Sequence, residues 1–390
     1  MKVLVSTPIF PPEIGGPATY AVEMARRLQE RGHKVRIVAF TDEKPQIPDL
    51  EVIPVRIRYK ILGTLSRQIR LFLALLSAVG GMDLIYLQDP MVVGVTSLLV
   101  GKLTGKPLVL KFVGDSVWEK EHSRRRTNQN LEEFLGSSQK TLAQRLRAYL
   151  LRFVLGNMNR IIVPSLYLHD ILVTHYRVKS EKIAVVYNSV DLKAIERAAG
   201  GRGQQRGKQV IAIGRMVRHK RIEGIIAALS ELRDEFPGIT LALVGDGPER
   251  ESLEKLAGEM GVTKRLRFYG SIDHDKTLAL LKASDVFVLN SIYEGLPHTV
   301  IEAMACSVPV VATDIRGTNE AVDNGRTGLL IPPDNEPALA DGIARLFKNT
   351  KLAEQLAEKA LATVSQKFTW ESNLAKLEAE LEKATGTDVS

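Results

Sequence analysis

Glu294 and Glu302 are separated by seven intervening residues in the segment Glu294-Gly295-Leu296-Pro297-His298-Thr299-Val300-Ile301-Glu302. Pro297 suits the first turn of a helix. Glu294 then lies in the loop ahead of that helix, and Glu302 about one and a half turns inside it. Helical geometry keeps the two carboxylates apart, which disfavours a paired acid and base. Each is suited to accept hydroxyl groups, Glu294 from a sugar over the loop and Glu302 from a second polyol such as a ribose. The N–H groups of Leu296, His298 and Thr299 would face outwards at the positive end of the helix dipole. The plainer role for Glu294 alone is that of an anion capping the helix.

A second cluster follows the apolar run 209–213: Gly214-Arg215-Met216-Val217-Arg218-His219-Lys220-Arg221. Arg215 and Lys220 sit where a strand would end, and fixed cations there suit a diphosphate. Cations at a helix start are unfavourable unless an anion joins them. A third candidate is Gly15-Gly16, after the first apolar run and before a helical pattern. Paired glycines let backbone approach a bulky anion at a helix N-terminus, though a tight turn explains them equally. The segment is neither G-x-G-x-x-G nor a Walker A loop. A dinucleotide oxidoreductase and a P-loop NTPase are therefore disfavoured.

The elements that must position these residues repeat as strand then helix. Apolar runs at 2–6, 35–40, 83–88, 107–113 and 160–164 alternate with helical periodicity at 18–30, 65–79, 92–103 and 142–157. The pattern restarts with strand-like runs at 209–213, 240–244, 266–269, 286–289, 308–312 and 328–331, separated by helical stretches. Such alternation means parallel βαβ units. Residues 200–207 hold four glycines and no apolar side chain, a connector between the halves. Two doubly wound Rossmann-like α/β domains are expected, with ligands at the carboxyl ends of the strands and a cleft between domains as the site. The expected division is 1–195, 196–368 and a last helical segment, 369–390.

The composition is that of an ordinary globular protein, 45% hydrophobic and 25% charged over 390 residues. One cysteine, Cys306, excludes a disulfide scaffold and a cysteine-rich zinc module, and fits a reducing cytoplasm. No apolar stretch reaches the length of a membrane span, and the proline-broken start reads as a strand rather than a signal peptide. Residues 1–200 carry 29 Lys and Arg against 18 Asp and Glu, while the remainder carries 24 against 27. A basic half favours an anionic partner. No zinc-finger or basic-zipper pattern is present and aromatics are few, so nucleic acid is not expected. Arg56, Arg58, Lys60, Arg67 and Arg70 lead into the apolar run 71–78, and Arg124-Arg125-Arg126 lie further on. Cations beside an apolar helix fit a peripheral contact with anionic lipid, unless 71–78 packs in the core.

In this company residues 209–335 resemble the donor half of retaining glycosyltransferases of family 4, the group 1 glycosyltransferases. The likeness rests on Arg215 with Lys220, Val244-Gly245-Asp246-Gly247-Pro248-Glu249, Glu294 to Glu302, Asn319-Glu320 and Thr327-Gly328, in that order and spacing. Phe10-Pro11-Pro12 with Gly15-Gly16, Gly32-His33-Lys34-Val35 and Asn188-Ser189-Val190-Asp191 extend it over nearly the whole chain. The resemblance implies the GT-B architecture, with the last helix returning to the amino-terminal domain. It implies transfer of a hexosyl group from a nucleotide diphosphate sugar to a glycan, a lipid-linked acceptor or a small molecule, without metal or other cofactor. Gly15 and Gly16 would meet the donor phosphate, and Arg215 and Lys220 its diphosphate. Gly245 would also border the donor. Glu302 would bind the ribose, Glu294 would face the transferred sugar, and Gly295, Leu296, His298 and Thr299 would add contacts. Many relatives place a histidine before an aspartate after the strand near 108–113, and here Gly114 precedes Asp115. Asp115 then contacts sugar or acceptor, or nearby His122 does, or Asp115 is a helix cap. Two rivals share the donor site: a sugar-nucleotide epimerase of the same fold, and a sugar-nucleotide binding protein without catalysis.

Overall fold

The structure is a computed structural model that describes residues 1–13, 16–42, 47–56, 63–198 and 208–386. Gly15, Arg58, Lys60 and the connector at 200–207 lie outside the described residues. The chain forms two units. One comprises Met1–Val117, Gly136–Val186 and Leu374–Ser390, the other Trp118–Leu135 and Tyr187–Asn373. Residues 118–135, which fall inside the sequence segment 1–195, thus pack with the second unit.

In the first unit, β1 (Lys2–Thr7), α1 (Gly16–Glu30), β2 (Lys34–Phe40) and β3 (Glu51–Val55) run in one direction along the sheet. After α2 (Gly63–Ala78) the chain returns past β1 to β4 (Leu84–Leu87), then runs through α3 (Gly94–Thr104) to β5 (Leu108–Lys111). The chain then passes through α4 (Ser116–Ser123) and α5 (Leu131–Gly136), which fall almost wholly in the 118–135 segment of the second unit, and returns to the first with α6 (Leu142–Gly156), β6 (Arg160–Val163), α7 (Leu166–Thr174) and β7 (Ile183–Val185). The seven strands are ordered β3-β2-β1-β4-β5-β6-β7, every neighbouring pair parallel. The central strands β4 and β5 are buried at every residue, because helices cover both faces of a parallel sheet. Edge strand β3 escapes the hydrophobic pattern because Pro54 interrupts it. Proline is tolerated at a sheet edge, where a ladder donor can be spared.

The main segment of the second unit, from Tyr187, opens with α8 (Leu192–Arg197), capped by Asp191, whose side chain accepts from Ala194 N. It continues through β8 (Gln209–Ile213), α9 (Ile222–Leu232), β9 (Thr240–Val244), α10 (Arg250–Glu259), β10 (Leu266–Gly270) and α11 (His274–Lys282). Then follow β11 (Val286–Leu289), α12 (His298–Ala305), β12 (Val310–Thr313), β13 (Leu329–Ile331), α13 (Glu336–Lys348), α14 (Thr350–Lys367) and α15 (Trp370–Thr385). Six parallel strands are ordered β10-β9-β8-β11-β12-β13. The order reverses between β8 and β11. Ligands of such sheets bind outside the carboxyl ends of the strands that flank such a reversal.

From Leu374 onward α15 belongs to the first unit. Glu378 Oε1 lies 2.9 Å from His33 Nε2, and Glu378 Oε2 2.9 Å from Arg31 Nε. Arg160 Nε donates to Glu380 at 2.7 Å. Both glutamates are buried. Removing their basic partners would leave uncompensated charge in the interior, so these pairs specify where the last helix docks. The two Rossmann-like units and the returning helix are the architecture expected from the sequence.

Candidate functional site

The loops after β8 and β11 are tied together. Lys220 Nζ lies 2.5 Å from Glu294 Oε1, which also accepts the Ser291 hydroxyl at 2.7 Å. Ile292 N donates to the His219 carbonyl at 2.9 Å. Thr313 in turn donates to the Ser291 carbonyl at 2.5 Å. Glu294 is thus a buried carboxylate held by a cation and a hydroxyl at the switch point of the sheet. This goes beyond the helix-capping role open to it from sequence. A pocket at this end of the sheet is lined by Gly214, Arg215, Met216, Lys220, Leu289 and Asn290, among others. Arg215 is largely exposed and pairs with Glu119 at 3.2 Å. The two cations therefore differ: one is fixed beside a buried carboxylate, the other reaches toward solvent.

Four rings support this arrangement. Trp118 is fully buried, stacks on His122 with centroids 4.8 Å apart, and meets the Tyr293 ring edge-on at 4.9 Å. His219 lies 5.9 Å from Trp118 and 6.3 Å from Tyr293. His219 and Tyr293 each precede a residue of the Lys220–Glu294 pair, so ring packing fixes the backbone that presents them. Burial, and then the charges of Lys220 and Arg215 and the neighbouring His122, push the His219 imidazole down to about 2. His122 is lowered as well, by burial and then by Arg218 and Arg221. Both rings are therefore neutral near pH 7. His122 is packing in this cluster. His219, Tyr293, Ser291 and Glu119 were not singled out by sequence; their signal is adjacency in the chain to Lys220, Glu294 and Trp118.

Glu302 sits in α12 and is buried. Its Oε1 lies 2.6 Å from His274 Nε2 and 3.5 Å from His298 Nε2. Burial raises its carboxyl, but the charge of His298 and the contact with His274 outweigh this and hold it below the ordinary carboxylate value. His274, on α11, is distant in sequence and has no motif of its own. Pro297 stands at the N-cap of α12 rather than inside its first turn. His298 and Thr299 begin the helix, where N–H groups have no partner within it. Leu296 is buried, and its carbonyl accepts Asn188 Nδ2 at 3.2 Å.

Gly245 and Gly247 have a packing reason. A β-carbon at 245 would lie 2.1 Å from the Gly214 carbonyl oxygen, and one at 247 would lie 2.3 Å from that of Met216. Only glycine lets the β8 and β9 loops approach so closely. Gly317 has the same role against Glu294, at 2.3 Å and φ 82°. Gly295 is buried in the same loop.

Gly16 and Asp115 belong to the first unit. Gly16 opens α1, and a β-carbon there would meet nothing within 4 Å. Asp115 is fully buried. It accepts Val117 N at 2.9 Å, the contact of a helix cap, and its other oxygen accepts the Tyr176 hydroxyl. Lys111, at the end of β5, donates to the Val186 carbonyl at 3.3 Å and stands 4.9 Å over the Tyr20 ring. Burial pushes its ammonium down to about 7. Cys306 caps α12 as a free thiol that burial pushes up to about 12, which fits packing rather than reactivity.

A doubly wound pair of units with cations and buried carboxylates at a switch point defines the GT-B class of protein. Two family models match the chain: Glycosyltransferase Family 4 over residues 14–194 and Glycosyl transferases group 1 over residues 198–363. The chain belongs to the group 1 glycosyltransferases. Alpha-D-kanosaminyltransferase of Streptomyces kanamyceticus is 33% identical over 160 residues, 41% of this chain and 42% of that protein. The chain spans about half the length of the curated relatives it matches. Among solved structures, sucrose-phosphate synthase from Thermosynechococcus elongatus superposes with a TM-score of 0.80 at 21% identity, covering 100% of both chains. Anabaena HepE in complex with UDP-glucose superposes with a TM-score of 0.77 at 21% identity, covering 98% of this chain and 100% of that one. At these identities the structural likeness speaks for the fold alone.

Proposed function

We propose that this protein is a retaining, metal-independent hexosyltransferase that moves a sugar from a nucleotide diphosphate sugar to a glycan, a lipid-linked acceptor or a small molecule. The observation that carries the reading is the Lys220–Glu294 pair at the β8/β11 switch point, with Arg215 beside it and Glu302 in the following helix.

In this reading Arg215 and Lys220 neutralise the charge that develops on the departing nucleotide diphosphate. Preorganised cations are well suited to that task, because they are in place before the bond breaks. Glu294, oriented by Lys220 and Ser291, accepts hydroxyls of the transferred sugar. Glu302 accepts the ribose hydroxyls, and the first N–H groups of α12 add contacts. Gly16 offers backbone to the donor phosphate, and Gly245 borders the donor. No protein base is assigned. In a front-face displacement a donor phosphate oxygen takes the acceptor's proton as the new glycosidic bond forms on the side the nucleotide leaves. The same reading makes the protein a cytoplasmic enzyme attached peripherally to a membrane.

Incubation with UDP-, GDP- and ADP-sugars tests this, beginning with UDP-glucose, which HepE binds in its solved complex. The expected result is release of nucleotide diphosphate with the anomeric configuration retained, undiminished by a chelator. Interconversion of the donor sugar would instead identify an epimerase. A thermal shift without turnover would identify a binding protein. Strict dependence on added magnesium or manganese would overturn the metal-independent mechanism.

A further inference from the structure

Three helices of the first unit turn apolar faces outward. On α2 the exposed Leu65, Ile69, Leu73 and Leu76 follow one helix face, whereas Leu71, Leu75 and Ala78 are buried in the core. The run 71–78 is therefore split: its core face packs inward, and the apolar positions between lie on the outside. On α3 the exposed large apolar residues are Val95, Leu99 and Leu103, four residues apart. On α6 they are Leu142, Leu146, Tyr149 and Phe153, again one face. Exposure reaches 84% at Leu142 and 69% at Leu65.

These faces adjoin. The connections through α2, α3 and α6 all step the same way along the sheet, so right-handed crossovers place them on one side. Gln68 of α2 accepts the Thr96 hydroxyl of α3 at 2.5 Å. A β-carbon at Gly94 of α3 would lie 3.1 Å from Val154 of α6. Lys102 of α3 stands 5.6 Å over the Phe153 ring of α6.

The charge on these helices selects the occupant. None contains an Asp or Glu, and together they carry Arg67, Arg70, Lys102, Arg145, Arg147 and Arg152. Lys102, Arg145 and Arg152 are exposed beside the apolar stripes. A second copy on this face would set cations against cations. An anionic leaflet accepts both components, the apolar side chains at the acyl boundary and the cations among the headgroups. Among the described residues no helix is long and apolar enough to cross a membrane, so the contact is interfacial. Arg124-Arg125-Arg126 are not part of it. They belong to the second unit, where Arg125 pairs with Glu249 at 3.3 Å and Arg126 with Glu121 at 3.8 Å.

We propose that the α2–α3–α6 face is a membrane-docking surface for an anionic lipid leaflet. It specifies the partner of the peripheral enzyme proposed above and rests on that part of the reading. Its test reads lipid binding without turnover, so failure here leaves sugar transfer standing. The full chain is sedimented with vesicles of phosphatidylcholine alone and of phosphatidylcholine with about one-third phosphatidylglycerol, at low and high salt. The expected result is uptake by the anionic vesicles at low salt and release at high salt. Combined Ile69→Gln, Leu73→Gln and Tyr149→Gln lower uptake at least about tenfold, with melting temperature nearly unchanged because the positions are exposed. Combined Arg145→Gln and Arg152→Gln lower it about 25-fold, about fivefold per cation. Absence of uptake by anionic vesicles, or full uptake by the apolar triple variant, overturns the proposal. So does self-association that the triple variant abolishes without any vesicle binding.

Discussion

Lys220 Nζ and Glu294 Oε1 lie 2.5 Å apart and join the loops after β8 and β11. Both side chains are largely withdrawn from solvent, whereas the Arg215–Glu119 pair is open on the arginine side. Lys220→Ala is expected to lower turnover about 10²-fold and to destabilise the fold by about 3 kcal/mol, because it strips a buried carboxylate of its cation. Arg215→Ala is expected to lower turnover similarly while costing less than about 1 kcal/mol of stability, as exposed pairs do. Steady-state kinetics with thermal melts separate the two. Equal melting losses would refute the distinction.

Glu294→Gln is expected to impair transfer more than it impairs binding of the free nucleotide diphosphate. Glu302→Ala should weaken the free diphosphate and the full donor alike. Calorimetric titration of both ligands into both variants is the check. A Glu302→Ala protein that is folded and binds the diphosphate normally would remove Glu302 from the ribose.

Glu302 is held below the ordinary carboxylate value by His298 and His274 against the effect of burial. A carboxyl depressed in the folded state contributes stability above its unfolded value, about 4.3, and loses it as pH falls through the folded value. His274→Ala with His298→Ala leaves burial unopposed. The acid-side loss of stability should then begin at higher pH. Melting curves from pH 7 to 3 report this, and superimposable profiles would count against the pairing.

His219 works on the neighbouring range. Its folded value of about 2 lies below the unfolded one, so the unfolded chain takes up a proton first. Its stabilising effect is complete above about pH 6.5 and declines as pH falls, by at most about 1.4 kcal/mol per pH unit. His219→Phe keeps a ring beside Trp118 and Tyr293 and removes the titration. The slope of stability between about pH 6 and 4 should flatten, and an unchanged slope would show that another group sets it.

Lys111 shifts stability in the alkaline direction. Buried, with its folded value down at about 7, it binds fewer protons folded than unfolded between there and about 10.4. Stability of the first unit should rise across that interval. Lys111→Met should raise the melting temperature at pH 7 by a few degrees and abolish the rise. A lower melting temperature at pH 7 would mean that the bond to the Val186 carbonyl outweighs the desolvation.

The alternation of apolar runs and helical periods determined by itself that two parallel α/β units form, because burial on both sheet faces imposes that pattern locally. It also marked Arg215, Lys220, Glu294 and Glu302, since strand ends and helix starts are set by neighbours in the chain. Short or interrupted edge strands such as β3 left no comparable signal. Only the tertiary structure decided which charges meet. Lys220 finds Glu294 across 74 residues, His274 finds Glu302 across 28, and Glu378 finds His33 across 345. Periodicity records which face of a helix is apolar, not what covers it. For 71–78 it could not tell core from surface, and α2 is apolar on both sides. The two faces of that helix are set apart by the sheet beneath one of them, and a contact of that kind exists only once the chain has folded.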